Sequence, residues 1–261
     1  MSVIDAAVMA GGVPAPGEPL WAYTRGRPKA LLPIAGRPMV QWVLDAVGSA
    51  PSIRNVVLVG VGPDAPPLQC PKPLRHIASS GSLVDAVQAA SASVRADPSP
   101  PDYLLTIGAD IPSVTPAIVE WATTMARGRD AYGFVVSLAT LARRFPGRHG
   151  DLLRLVDGFV VLADLALFKP SALTSVHPAW SRLVAARKSV LTMALLVGPA
   201  TLFRLLLRRL RLADIERIVR TRLDLDAEAV VCPFAEAAMD ADVPEEYDML
   251  LRDFANRTRA T

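Results

Sequence analysis

Apolar residues in the first half of the chain fall in short runs that alternate with stretches of helical period. Residues 3–10 (VIDAAVMA) form a strand-like run that ends at Gly11-Gly12. After a long Pro/Gly loop, Val40, Val43, Leu44 and Val47 repeat at the three-and-four spacing of a helix face. Pro38 suits the first turn of that helix and Gly48 its end. Residues 55–62 (NVVLVGVG) are a β-branched run of the kind buried in parallel sheets. Residues 75–94 predict a short strand, a Ser/Gly turn and a helix capped by Ser82. Residues 103–114 (YLLTIGADIPSV) predict a strand that stops at Gly108, with Asp110 just past its end. Thr115-Pro116 opens a helix over 117–126, and a strand is expected over 131–139.

Strand and helix in strict alternation argue for an α/β fold: a three-layer α/β/α, Rossmann-like, mainly parallel sheet built by right-handed crossovers. Such sheets bind ligands outside the carboxyl ends of their strands, the edge that holds both the glycine pair and Asp110.

The second half changes character. Residues 151–169 place Asp157-Gly158 between two apolar runs, which predicts a β-hairpin with a two-residue turn. From Pro178 to Leu223 the pattern turns helical, an insertion within a single domain spanning 1–261. Its uncharged stretch, residues 189–203, is too short to span a bilayer and is broken by Gly198-Pro199, so a buried helical hairpin is expected rather than a membrane segment. The following amphipathic run puts Phe203, Leu206, Leu207 and Leu210 on one stripe and is rich in arginine. Two readings fit that run: a solvated face on a packed helix pair, or a surface for an anionic substrate, a partner subunit or a membrane. The insertion is also where a homodimer contact is expected. Residues 227–234 predict a last strand, 239–250 a loop leading into a helix, and 256–261 a frayed end.

Composition narrows the class. The 261 residues suffice for a sizeable core, and 51% hydrophobic content with mean hydropathy +0.32 excludes disorder. A net charge of +3, without basic runs interleaved with aromatics, gives no reason to expect nucleic acid. Cys70 and Cys232 are far apart, which suggests neither a disulfide framework nor a structural zinc site, and a reducing cytoplasm is the expected setting. The N-terminal run carries Asp5 and no basic flank, so a first strand is expected there and not a signal peptide.

A strand ending in Gly11-Gly12, followed by a loop that reaches Lys29 before a helix, can present backbone N–H groups and a point charge to phosphate. A plain surface loop fits the same spacing, and neither Walker A nor a complete G-x-G-x-x-G is present. Asp110 follows a strand, while Asp240 and Asp242 precede the last helix. Magnesium is held by one or two carboxylates plus substrate phosphate oxygens, so two carboxylates converging at the end of a phosphate loop suit it. Taken singly, each is also a routine turn or cap residue. Trp21 and Tyr23 fit either base stacking or anchoring of the loop. His76, His149 and His177 are scattered without ligand spacing.

AGG, then PKALLPIAGRPM, then a strand ending in ADIP, and finally D-x-D-x-P-E-E together resemble the nucleotidyltransferases of the molybdenum-cofactor guanylyltransferase type, on the nucleotide-diphospho-sugar transferase fold. The resemblance runs from Val3 to Leu251. It implies an enzyme that transfers an NMP moiety from an NTP to a phosphorylated or hydroxyl-bearing small-molecule acceptor, releasing pyrophosphate. It also implies that Ala10, Gly11 and Gly12 face the nucleotide, that Lys29 contacts phosphate, that Ser82 lies in the base-and-ribose segment, and that Asp110 with Asp242 binds Mg²⁺. Lys29 and Asp110 are the expected catalytic pair. Where relatives carry a G-x-G-x-R loop this chain has Gly12 followed by VPAPGEPLWAYTRGRPK, which leaves Arg25 and Arg27 as candidates for gripping the triphosphate. Where many relatives carry Gly-Gly-Asn, this chain has Leu162-Ala163-Asp164, an anion in place of an amide. A catalytically inactive relative that binds a nucleotide or a protein partner through the same edge is the alternative.

Overall fold

In the computed structural model, which describes residues 2–62, 65–78, 81–148, 152–172, 198, 201, 203–204, 207 and 209–260, the opening apolar run folds as β1 (Ile4–Met9). There follow α1 (Trp21–Thr24), β2 (Pro33–Ile34), β3 (Arg37–Pro38), α2 (Met39–Gly48), β4 (Ile53–Val59), β5 (Leu74–Ile77), α3 (Leu83–Arg95) and β6 (Tyr103–Gly108). Next come α4 (Pro116–Thr123), β7 (Ala131–Ser137), α5 (Leu138–Arg144), β8 (Leu152–Leu155), β9 (Gly158–Phe168), a further helix α6 (Leu212–Leu223), β10 (Ala227–Cys232) and α7 (Pro244–Ala260).

Both faces of β1 are apolar because both are covered. Ile4, Ala6 and Val8 enter the main core with α2, α4 and α7, while Ala7 packs with Ala86, Ala90 and Val94 of α3 on the opposite face. The periodic residues Val40, Val43, Leu44 and Val47 of α2 are fully buried, each favoured by about 1.5–3 kcal/mol over exposure.

The sheet runs β10-β7-β9-β6-β1-β4-β5, with β8 paired to β9. β1 is parallel to β4 and β6, β4 to β5, and β7 to β10; β9 runs antiparallel to both β6 and β7. From β1 the chain builds outward through β4 and β5, then returns to place β6 on the other side of β1. That reversal opens a crevice at the carboxyl ends of β1 and β6.

Some expectations shift in detail. The β8–β9 hairpin forms, but Leu155 pairs with Gly158, so its two-residue turn is Val156-Asp157 and Gly158, at φ +121°, is the first residue of β9. The strand expected over 131–139 ends at Ser137, whose hydroxyl accepts the Thr140 N–H (3.1 Å) and starts α5. The chain end is not frayed: α7 continues to Ala260 and carries an Arg257–Asp253 ion pair at 2.7 Å. Of the expected helical insertion, residues 178–197 lie outside the described residues, and so does the dimer contact expected there. Its last part is α6, whose Leu212, Ile215 and Ile218 pack on Val135, Leu155, Val160 and Leu210. No described helix is long and apolar enough to cross a membrane, and Cys70 and Cys232 are free thiols.

Asp5 is fully buried in β1. It accepts two bonds from Arg54, Nε to Oδ1 at 2.9 Å and Nη2 to Oδ2 at 2.8 Å, and a third from the Asn55 N–H at 3.2 Å. The β1–β4 register shifts between Ile4 and Ala6, so this carboxylate satisfies backbone that the irregular ladder leaves unpaired. Arg54→Met strands a buried carboxylate and is expected to cost about 3–5 kcal/mol in urea unfolding. A loss no larger than that of an exposed ion pair, about 1 kcal/mol or less, would contradict this account.

Candidate active site

β1 delivers the glycine pair into the crevice. The Ala10 N–H still bonds Val59 O at 2.8 Å, and beyond it the chain leaves the sheet. Gly60 shapes this exit: its φ is +100°, and a Cβ there would lie 2.3 Å from Gly11 Cα. Only glycine meets both conditions. The Lys29 N–H donates to Gly12 O at 2.8 Å, closing residues 13–28 into a loop whose end stands beside its beginning. Among the described residues, the N–H groups of Gly11, Gly12 and Val13 form no hydrogen bond. They are free for an anion.

Lys29 Nζ lies 2.5 Å from Asp110 Oδ2 and also pairs with Asp242 Oδ1. Asp110 follows β6, where the Ala109 N–H bonds Met9 O at 3.0 Å and ties the two strand ends together. Asp242 arrives from β10 through the buried 3₁₀ turn Ala235–Ala238. The sequence-predicted Lys29, Asp110 and Asp242 therefore meet at the mouth of the glycine loop. Burial opposes the charge on Lys29, but Asp110 and Asp242 outweigh it and hold the ammonium above its ordinary pKa range. Crowding by the surrounding protein opposes the charge on Asp242, although much of its side chain meets solvent at the crevice rim, and Lys29 overcomes that, leaving the group below the usual range.

Two more carboxylates crowd the same place. Asp164 lies on β9 beside the end of β6. A Cβ on Gly108 would fall 2.5 Å from Asp110 Oδ1 and 3.2 Å from Asp164 Cβ, so glycine is what lets the two approach. Burial, then the charges of Asp240 and Asp110, push Asp164 well above the carboxylate range. Asp240 is buried and is pushed up to about 7 by burial and by Asp242 and Asp110, against the pull of Arg148. Arg148 is itself buried, pairs with Asp240 and stands 3.1 Å from Glu246 Oε1. Four aspartates thus face two cations, Lys29 and Arg148, and the locality is short of positive charge.

Ser82 lies apart from this cluster. It caps α3 in a reciprocal box with Asp85: Ser82 Oγ accepts the Asp85 N–H at 3.2 Å, and Asp85 Oδ2 accepts the Ser82 N–H at 3.0 Å. The hydrogen bond from Ser82 holds Asp85 below its ordinary range. Arg25 and Arg27 are exposed on the loop and form no ion pair among the described residues. Tyr23 anchors the loop to α7, while Trp21 packs within the loop. A Cβ at Gly26 would lie 3.5 Å from the Trp21 ring, and Tyr23 meets Tyr247 edge-on at 5.6 Å. His76 sits exposed on β5, while His149 and His177 fall outside the described residues. Among the described residues no group of three or more His, Cys, Asp or Glu side chains forms a ready-made metal cage.

A cavity of about 320 Å³ opens between Lys29, Asp242 and the loop residues Gly12, Val13, Pro14, Glu18, Pro19 and Leu20. A larger one, about 820 Å³, lies at the opposite end of the sheet by Tyr103. Its lysine, Lys169, is already bonded to Gly128 O at 2.6 Å and Asp130 at 3.1 Å, so the chemistry gathers at the smaller cavity. Sequence reasoning did not place Arg148 or Glu246 at the site, and Gly60 was read only as part of a strand. Its one signal was a glycine interrupting an apolar run.

The model of the MobA-like NTP transferase domain matches residues 6–227. The chain belongs to that family. A hypothetical transferase from Thermus thermophilus is 32% identical and superposes with a TM-score of 0.80 over 94% of this chain and 99% of its own. The 4-diphosphocytidyl-2C-methyl-D-erythritol synthase of Anaerococcus prevotii is 10% identical with a TM-score of 0.57, covering 97% and 96%. A CMP:2-keto-3-deoxy-manno-octonic acid synthetase complexed with CTP is 13% identical with a TM-score of 0.56 over the whole of both chains. The last two share the fold. No significant match was found among curated proteins.

For this MobA-like chain, Gly60→Ala forces a left-handed residue with a side chain against the Gly11 backbone. Stability is expected to fall by at least about 1–2 kcal/mol, and binding of inorganic triphosphate to weaken, read by thermal melting and calorimetry. Melting and binding at wild-type values would show that Gly60 does not shape the loop.

Proposed function

We propose that the protein is a Mg²⁺-dependent nucleotidyltransferase that moves an NMP moiety from an NTP to a small-molecule acceptor with release of pyrophosphate. The observation that carries this reading is Lys29 held between Asp110 and Asp242 at the mouth of a loop with free N–H groups, in a chain of the MobA-like family. An acceptor oxygen bonds to the α-phosphorus, the bond from that phosphorus to the bridging oxygen of the β-phosphate breaks, and pyrophosphate departs with that oxygen. The chain's part is positioning and charge neutralisation.

In this reading the N–H groups of Gly11, Gly12 and Val13 cradle phosphate oxygens, with Ala10 ending the strand behind them. Lys29 neutralises charge on the phosphate chain, and the exposed Arg25 and Arg27 are the remaining cations on the loop. Ser82 and its helix start frame the nucleoside end. Asp110 and Asp242 fit a divalent metal: they are hard oxygen donors in a locality short of positive charge, and magnesium needs only one or two carboxylates when phosphates complete its shell. A bound Mg²⁺ would supply further neutralisation of the phosphates. Lys29 stands between the two carboxylates and would turn toward phosphate if they held a metal.

The test is pyrophosphate release from each NTP with Mg²⁺ and a panel of phosphorylated and hydroxyl-bearing acceptors. Asp110→Ala and Lys29→Ala are each expected to lower turnover at least about 100-fold, the scale of losing one electrostatic contact to the reacting group. Turnover unchanged in either variant would refute the assigned role. Nucleotide binding without release on any acceptor would favour an inactive relative.

A further inference from the structure

Residues 240–246 carry a set of bonds that the transfer itself does not use. Glu246 is buried, yet its neighbour Glu245 is exposed. Glu246 Oε2 accepts the N–H of Asp242 at 2.9 Å and that of Val243 at 3.3 Å. Its other oxygen, Oε1, lies 3.1 Å from Arg148 Nη1, and the same guanidinium donates through Nη2 to Asp240 Oδ1. One buried cation thereby holds Asp240 by a hydrogen bond and faces Glu246 as an ion pair without a hydrogen bond, while Glu246 itself holds the backbone of Asp242. The Asp242 side chain is 62% exposed and has Lys29 as its ion-pair partner. It also takes a hydrogen bond from the Asp240 side chain, so its direction depends on that contact and on how the backbone behind it is held.

We propose that Glu246, braced by Arg148, is a positioning residue that sets Asp242 against Lys29. A carboxylate with two oxygens suits the task, since one oxygen takes the backbone N–H groups while the other faces the guanidinium. The plain alternative is a helix cap on α7 that serves stability alone. The two differ at Lys29, which lies across the crevice from α7 and is untouched by Glu246. The inference rests on the nucleotidyl-transfer reading only for the importance of Asp242.

Lys29 is the reporter. Acetylation of its amine by an N-hydroxysuccinimide ester is followed residue by residue by mass spectrometry, with folding checked by circular dichroism and melting. Asp242→Ala is expected to speed labelling of Lys29 several-fold, Glu246→Ala to do the same, and Glu245→Ala to leave it unchanged. Combining Glu246→Ala with Asp242→Ala should add nothing to Asp242→Ala alone, because the first acts through the second. Should Glu246→Ala fail to fold, Glu246→Leu fills the buried volume, still removes the acceptor of the Asp242 and Val243 N–H groups, and is read in the same way. Wild-type labelling in a folded Glu246 variant, or a double variant whose effect is the product of the singles, overturns the proposal. The measurement needs neither NTP nor acceptor, so a silent pyrophosphate assay would sink the transfer reading without touching it.

Discussion

An ammonium group withdrawn from water needs anionic partners, and Lys29 finds them in Asp110 and Asp242. That contact joins three distant segments: the end of the glycine loop, the turn after β6 and the approach to α7. Lys29 opens a short 3₁₀ turn, Lys29–Leu31, while Asp110 and Asp242 stand outside any helix or strand. The ion pairs are therefore both the closure of the crevice and its chemistry. They do not balance the charge, since Asp164 and Asp240 crowd the same volume and are pushed toward protonation by burial and by neighbouring carboxylates, Asp240 and Asp110 acting on the first and Asp242 and Asp110 on the second. A site that holds more carboxylates than cations is disposed to take up positive charge.

The sheet makes this meeting possible by a reversal of direction. Because β6 returns to the far side of β1, the glycine exit and Asp110 leave adjacent strands at the same edge. The antiparallel β9 then wedges between β6 and β7, pairing Leu165 with Ile107, and so presents Asp164 at the level where β6 ends. Small residues hold the geometry open. Gly60 yields to the Gly11 backbone, and Gly108 leaves room for Asp110 and Asp164.

The parts legible in the sequence were those set by local pattern. Apolar runs and three-and-four spacing located β1, α2, β4, β6 and α4, and a hydroxyl before a helix located Ser82 as a cap. Lys29, Asp110 and Asp242 were legible through their positions after strands and before a helix, supported by the family resemblance. What stayed hidden depends on long-range pairing. Asp164 was visible through the resemblance, as the anion standing where relatives carry the Asn of Gly-Gly-Asn, but its place beside Asp110 was not, because nothing local says that β9 lies beside β6. Arg148 carries no sequence signal, since its partners Asp240 and Glu246 lie far along the chain. The hairpin turn was misplaced by one residue because a glycine at positive φ serves as well at the start of a strand as in the turn itself.

The loop between Gly12 and Lys29 departs furthest from the family pattern, and its chemistry explains what it can offer. Pro14, Pro16 and Pro19 have no N–H to give, and the Ala15 N–H is already bound to Glu18 Oε2 at 2.7 Å. Leu20 is buried, Trp21 packs within the loop beside Gly26, and Tyr23 joins the loop to Tyr247 of α7. The wall it presents to the cavity is apolar and carries one carboxylate, Glu18. An anion entering there meets the unbonded N–H groups of Gly12 and Val13 and, among the described residues lining the cavity, the positive charge of Lys29. Arg25 and Arg27 stand outside, without ion-pair partners among the described residues, and would have to swing inward to share the load. The altered loop thus leaves its unbonded N–H groups and its buried cation at its two ends, where Gly12 and Lys29 are bonded to each other.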